Sequence, residues 1–352
     1  MTVLVPVRPD AAHDPETAVA PEAPHVPVLL DRVVELLGAA PDGPYVDGTL
    51  GAAGHAHAVL TDRVGRFGHA MLVGLDRDPH AHELAAHRLA TLPSEVTTHL
   101  AQVRFDALGD VLDALGVPTV AAMLLDLGIS SMHVDEADRG FSYRQDGPLD
   151  MRMGPDAATT AADLVNHAEP AELRRVISVY GEERFADRIA RAIVDRRRER
   201  PFERTTDLAE VVRGAIPAAA RRTGGHPATR TFQGLRIAVN GELEALERLL
   251  PEAIDRLAVG GVLVVLSYHS LEDRIVKRAF TDAARGCICP PDLPVCACGR
   301  VPDVELLVRR PERPSDEELA TNPRASAARL RAVRRLPPPP HDAAPRREAT
   351  HP

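Results

Sequence analysis

The 352-residue chain has no tryptophan, and aromatic residues make up only 3% of it. Any surface that stacks on nucleic-acid bases must therefore rest on a few rings, of which Phe141, Tyr143, Phe232 and Tyr268 are the candidates. Lysine is nearly missing as well: Lys277 is the only one among 42 basic residues. The net charge of −9 excludes a protein that coats nucleic acid through general basicity. A local groove stays open to it, and arginine is the better fork for phosphate. No apolar run approaches the roughly 18 residues of a membrane span, and the N-terminus lacks the charged-then-apolar pattern of a signal peptide. The expectation is a soluble cytoplasmic protein with no membrane partner. Cysteine occurs only at Cys287, Cys289, Cys296 and Cys298. One tight cluster argues against a secreted disulfide framework and for a metal or redox patch.

Apolar residues at 44% suffice for a real core, and the length suits about two domains. Residues 1–24, rich in Pro and Ala, and residues 337–352, opening on four prolines, read as disordered tails. Between them, short apolar runs alternate with helical patterns. The runs are Tyr45-Val46, Ala70 to Leu75, Val96 to Leu100, Val120 to Leu125 and Val262 to Leu266; the helices are expected over 29–37, 79–89, 107–115 and 242–257. This alternation predicts an α/β fold with a doubly wound parallel sheet, its strands buried on both faces. Over 137–239 the strand signals vanish and helical ones dominate, as at 171–180, 184–197 and 208–215. That segment is expected to be an all-helical domain inserted between the fourth and fifth strands, leaving 25–136 and 240–336 as the core.

Open parallel sheets bind ligands at the carboxyl ends of their strands. Asp47, Asp76 and Asp126 each end an expected strand, and Asp47 is followed by Gly48, Gly51 and Gly54. Glycines there let the backbone turn sharply and approach a ligand. Singly, each feature is equally a structural turn or a helix cap; in this order they point to a nucleotide-type cofactor. The spacing lacks the close first pair of G-x-G-x-x-G, and an acid directly before the glycines suits S-adenosylmethionine better than a nicotinamide. A nicotinamide-dependent oxidoreductase remains the second reading. The cysteines read C-x-C-x6-C-x-C, so four thiolates could hold zinc, although the spacing is tighter than in usual zinc ribbons.

Eight segments carry a closer likeness: His25–Leu30, Asp47–Gly51, Asp126–Ser131, Arg139–Ser142, Gly147–Met153, Tyr180–Phe185, His226–Gln233 and Ser267–Arg274. In order, they resemble the bacterial 16S rRNA (cytosine-N4)-methyltransferases of the MraW type, over about residues 25–336. The resemblance implies a class I S-adenosylmethionine-dependent methyltransferase (Rossmann-like) core with an inserted all-helical domain that recognises RNA. It implies methylation of the exocyclic N4 of one cytosine, which the family numbers 1402, in 16S rRNA of the small ribosomal subunit. It places cofactor contacts at Ala53, Gly54, His55, Asp76, Phe105, Asp126 and His133, and assigns no metal to the reaction. The family loop reads Gly-Gly-His where this chain has Ala53-Gly54-His55; alanine is harmless there if its φ is negative. Glutamine is usual at the position of His133.

A cytosine N4 is a poor nucleophile because its lone pair is delocalised into the ring, so a proton acceptor near it would help. Asp126 is the first candidate and His269, after the fifth strand, the second. The Pro-Pro-aromatic motif of other amino-methyltransferases is replaced here by Asp126-Leu127-Gly128-Ile129. Arginines 184 to 204, with Arg230, Arg236 and a group over 309–335, are candidates for phosphate contacts or simply solvated faces. A non-catalytic RNA-binding module on the same fold, and a homodimer, both remain open to the sequence.

Overall fold

The computed structural model describes residues 4–6, 27–130, 135–221, 225–290, 293 and 297–339. His133 and Cys296 lie outside the described residues, as does most of both tails. The chain divides into two compact units, one of residues 1–127 and 246–352 and one of residues 128–245.

The first unit is built on an eight-stranded sheet. Its strands are β1 (Leu4–Pro6), β2 (Tyr45–Asp47), β3 (Ala70–Asp76), β4 (Val96–Gln102), β5 (Val120–Asp126), β6 (Leu257–Ser267), β7 (Val304–Leu306) and β8 (Arg329–Arg335). Their order is β1-β4-β3-β2-β5-β6-β8-β7. Strands β2 to β6 run parallel; β8 is antiparallel to β6 and β7, and β1 to β4. Helices α1 (Leu30–Gly38), α2 (Gly54–Phe67), α3 (Pro79–Leu89) and α4 (Leu108–Ala114) connect the first strands. This is the class I methyltransferase arrangement. From β2 the chain winds outward to β3 and β4, then returns to the other side of β2 as β5. The order reverses there, which opens a crevice above the ends of β2 and β5.

Side chains alternate across the pleat, so each strand feeds two cores. Val46, Val73, Met123, Leu125, Leu263 and Val265 pack on one face with Leu108 and Leu112 of α4. Tyr45, Leu72, Leu124, Val264 and Leu266 pack on the other with Val33 and Leu37 of α1 and Leu60 of α2. Burial on both faces is why these strands read as unbroken apolar runs.

The N-terminal tail departs from expectation at Leu4–Pro6, which pair antiparallel with β4 through Leu4↔Ala101 and Pro6↔His99. Without them β4 would present an open edge, and proline is tolerated on an edge strand because it donates nothing to a ladder. The unexpected β8 holds four arginines in seven residues. One of them, Arg331, is 8% exposed. Its Nε donates to Asp273 Oδ1 at 2.7 Å and its Nη2 to Oδ2 at 3.2 Å, while Arg329 Nη1 donates to Oδ2 at 3.0 Å. Burial alone would raise the Asp273 carboxyl, but the two guanidinium groups hold it below the usual range.

The second unit is helical: α5 (Ala161–His167), α6 (Pro170–Arg175), a π-helical turn Val176–Tyr180, α7 (Ala186–Arg197), α8 (Thr205–Ala215), α9 (Ala218–Arg221) and α10 (Thr229–Asn240). Its own core joins Leu173, Ile177, Ile189, Ile193, Leu208, Val212 and Leu235. A Cβ on Gly234 would stand 2.8 Å from Val176 O, so glycine lets α10 lie directly on the π turn. Met151 adopts φ +62°. Buried Asn240 holds it, donating to Met151 O at 2.8 Å and accepting from Met153 N–H at 2.9 Å. The chain then re-enters the first unit along α11 (Glu242–Asp255), and α12 (Ser270–Ala283) follows β6.

Replacing Asp273 by Asn leaves the buried Arg331 without its countercharge. Loss of one partner of a buried ion pair costs about 3–5 kcal/mol, and urea unfolding of Asp273→Asn is expected to show a destabilisation of that order.

Candidate active site

The turn after β2 is tied to both neighbouring strands. Gly48 N–H donates to Leu124 O at 3.0 Å, and Leu50 N–H to Leu75 O at 2.9 Å. A Cβ on Gly48 would meet Leu125 Cδ2 at 2.6 Å, so any other residue would displace that buried side chain; the same point lies 3.7 Å from Phe105 Cβ, which sets Phe105 beside the turn. Gly51, at φ +49°, donates its N–H to Asp76 Oδ2 at 2.9 Å. Asp78 N–H donates to Asp76 Oδ1 at 2.9 Å. Two amides thus orient the carboxylate that ends β3. A Cβ on Gly54 would stand 2.6 Å from Pro27 Cγ, so the first residue of α2 is also close-packed.

Ala53 contradicts the condition set for it. Its φ is +57° and its ψ +30°, the left-handed region. An L-residue there costs roughly 1–2 kcal/mol. Its fully buried methyl offsets part of that, at about 0.8 kcal/mol per buried carbon.

Asp126, which ends β5, is the node of the site. Its N–H donates to Thr49 Oγ1 at 2.6 Å. Its Oδ1 accepts from Tyr268 OH at 2.7 Å. Its Oδ2 lies 3.5 Å from His55 Nδ1, and the Asp126 side chain is 26% exposed, enough to be reached. His55 Nε2 is 2.9 Å from Val28 O. A carbonyl only accepts, so Nε2 carries a proton. Nδ1 then attracts the carboxylate only with a proton between them. Burial, then the Asp126 charge, push the Tyr268 hydroxyl far above its ordinary value, so it stays a donor.

Asp47 is 2% exposed. It accepts from Thr49 N–H at 3.1 Å and from Tyr45 OH at 3.3 Å. Burial pushes its carboxyl up to about 6, against the opposing pull of His55 and the Thr49 amide. In the sheet register Asp47 stands opposite Gly74 and Leu124, two residues short of Asp76 and Asp126 on the flanking strands. Three carboxylates therefore cluster at one end of adjacent strands. The set suits a ligand with positive charge and hydroxyl donors, and the close-packed glycine turn leaves backbone rather than side chains along the crevice.

The structure uses His269 differently. Its ring caps α12, with Nδ1 accepting from Glu272 N–H at 3.4 Å. Nε2 lies 3.1 Å from Glu272 Oε1, off the line of a hydrogen bond. The side chain that reaches Asp126 is its neighbour Tyr268, expected from the sequence only as a stacking ring. Thr49 was not foreseen at all; a small hydroxyl inside the glycine turn was its one signal.

In the helical unit Phe141 and Phe232 are core residues. Tyr143 stacks on His226 with ring centres 4.4 Å apart and meets Phe232 edge-on. Most of the arginines over 184–204 have partners. Arg197 Nη1 donates to Val165 O and Ala168 O at the end of α5. Arg198, Arg200 and Arg204 pair with Asp195, Asp207 and Asp146. Three of the eight arginines are thus countered by carboxylates, so the stripe is a partly neutralised face.

A sequence model described as the MraW methylase family matches residues 22–336. The chain is 52% identical over 313 residues to the "Ribosomal RNA small subunit methyltransferase H" of Heliobacterium modesticaldum, covering 89% of this chain and 98% of that protein. It is 55% identical over 326 residues to the protein of the same name from Acidothermus cellulolyticus, covering 92% and 97%. Among solved structures, an rRNA methylase from Streptococcus thermophilus superposes with a TM-score of 0.37 at 11% identity, over 88% of this chain and 94% of that one. Among the described residues no helix is long and apolar enough to cross a membrane.

Two outcomes follow from these contacts. The Asp47 carboxyl titrates at about 6 when folded and near 4 when unfolded. Between those values the folded state binds the extra proton, so this group's contribution to stability falls as pH rises through the window and levels off above it. Subtracting the urea-unfolding profile of Asp47→Asn from that of the unaltered protein should leave this slope. Ala53→Gly relieves about 1–2 kcal/mol of backbone strain, but loses about 0.8 kcal/mol of methyl burial and about 0.4–1 kcal/mol to a freer unfolded chain. Thermal unfolding should find it within about 1 kcal/mol of the unaltered protein.

Proposed function

The chain belongs to the MraW methylase family, and from that premise we propose that it methylates the exocyclic N4 of a cytosine in the 16S RNA of the small ribosomal subunit, the cytosine the family numbers 1402. Bound S-adenosylmethionine supplies an electrophilic methyl group on a sulfonium centre. Asp76 is oriented to accept from hydroxyls of a ribose, Phe105 lies beside the glycine turn as an apolar wall, and the turn Gly48–His55 brings backbone close to the ligand. Asp47, ionised above about pH 6, adds negative charge beneath a cationic cofactor.

The observation that carries the reading is the fixed, partly exposed carboxylate of Asp126 at the reversal of strand order. N4 forms a bond to the methyl carbon as the carbon–sulfur bond breaks and its electron pair goes to sulfur. N4 then carries a positive charge and a proton to shed. That cation is strongly acidic, so its acceptor needs placement more than basicity. Asp126 takes the proton, and Tyr268 and His55 hold its two oxygens in position. His269 acts one step away, fixing the start of α12 and hence Tyr268.

Incubation with labelled S-adenosylmethionine and unmodified small subunits should put label on a single cytosine, and mass mapping should find it on N4. Label on a ring carbon, or in protein, would sink the assignment. Asp126→Asn should lower kcat by about 10²–10⁴-fold, the usual contribution of a proton acceptor. Tyr268→Phe removes one hydrogen bond to a charged group, worth about 1.5–3 kcal/mol, and should cost roughly ten- to a hundred-fold in kcat. Calorimetry should find cofactor affinity little changed in Tyr268→Phe.

A further inference from the structure

The cysteines take no part in the chemistry above. They lie between α12 and β7, in a segment tied at its base: Asp303 N–H donates to Ala283 O at 2.8 Å, and the Arg300 guanidinium donates to Asp282 O. The thiols of Cys287, Cys289 and Cys298 all lie within 4.8 Å of one another. None of the three is in a disulfide. Cys298 Sγ stands 3.8 Å from Cys287 Sγ, far beyond the roughly 2.05 Å of a disulfide bond. Sulfurs placed about 2.3 Å from one zinc ion at tetrahedral angles stand about 3.8 Å apart.

Two further observations fit the same ion. The chain at 285–288 is neither helix nor turn, and Ile288 is 55% exposed. The Cys287 and Cys289 thiols lie on one side, within 4.8 Å of each other, with the exposed Ile288 between them in sequence. The tight C-x-C spacing is thereby compatible with chelation. Ala297 N–H also donates to Cys289 Sγ at 3.3 Å. An amide on sulfur disperses thiolate charge, the outer-shell support that metal ligands commonly receive.

We propose that Cys287, Cys289 and Cys298 hold a structural zinc ion. Three thiolates on one ion belong to structural zinc sites, whereas catalytic sets carry at most two, which makes the site structural rather than catalytic. The ion closes the segment that delivers the chain from α12 to β7, a strand of only three residues at the sheet edge.

The full-length protein, purified under reducing conditions and dialysed against a weak chelator, should retain about one zinc ion per chain by elemental mass spectrometry. The double substitution Cys287→Ser, Cys298→Ser should release it while S-adenosylmethionine binding persists. Cobalt-loaded unaltered protein should show thiolate-to-metal charge transfer and the intense bands of tetrahedral cobalt. That second measurement decides the matter even if the double variant fails to fold. Loss of zinc on dialysis together with a weak octahedral cobalt spectrum would overturn the proposal. So would a disulfide among these cysteines in protein alkylated under reducing conditions.

Discussion

The Asp126 carboxylate at the end of β5 is held pointing one way from three sides. Thr49 takes its amide hydrogen, Tyr268 donates to one oxygen, and His55 faces the other. Each partner comes from a different element: the turn after β2, the end of β6 and the first turn of α2. The contact therefore exists only once β2, β5 and β6 are adjacent and in register. Hydrogen bonds to a charged group are the stronger kind, and side chains fixed by such contacts lose little freedom when a ligand arrives. The same contacts explain why the glycine turn is so tightly built. Displacing Gly48 by one carbon would press on Leu125, the residue just before Asp126.

Much of this was legible in the sequence because parallel strands buried on both faces have a plain signature. The five apolar runs became β2 to β6, and an acid closes each of β2, β3 and β5 at the same end of the sheet. What escaped was hidden by side-chain chemistry. In β8 arginines interrupt the apolar pattern, and Arg331 is inside only because Asp273 answers it from α12. Pairing of that kind is non-local and leaves no trace in a window of neighbouring residues. The helix α2 begins at Gly54 and carries three polar or charged residues in a row at Thr61, Asp62 and Arg63. Its apolar face is too broken for periodicity to find. Asp126 was visible as a strand end, but the roles of Tyr268 and His55 depend on distances across more than seventy residues of chain.

Ala53 shows where a local rule needed geometry. Alanine is harmless there only at negative φ, yet the turn demands the left-handed conformation. The demand comes from the route of the chain: Ala53 N–H must return to Leu50 O at 2.8 Å while α2 starts at the next residue. Tertiary closure sets φ here, and the alanine methyl is accommodated by a core that surrounds it completely.

The near-exclusive use of arginine has two structural consequences that differ in energy. Arg331 on Asp273 is buried, and Arg197 on the carbonyls ending α5 is half-buried, so moving either strands polar groups away from water. Arg200 with Asp207 and Arg204 with Asp146 are exposed, and such pairs are worth about 0–1 kcal/mol. An exposed guanidinium can thus exchange a carboxylate for a phosphate at little cost, and its fork suits either. An acidic chain can in this way keep such arginines paired in solution and still offer cations to a polyanion. The arginines able to do so are those whose present partners are weakest, not those that are most numerous in the sequence.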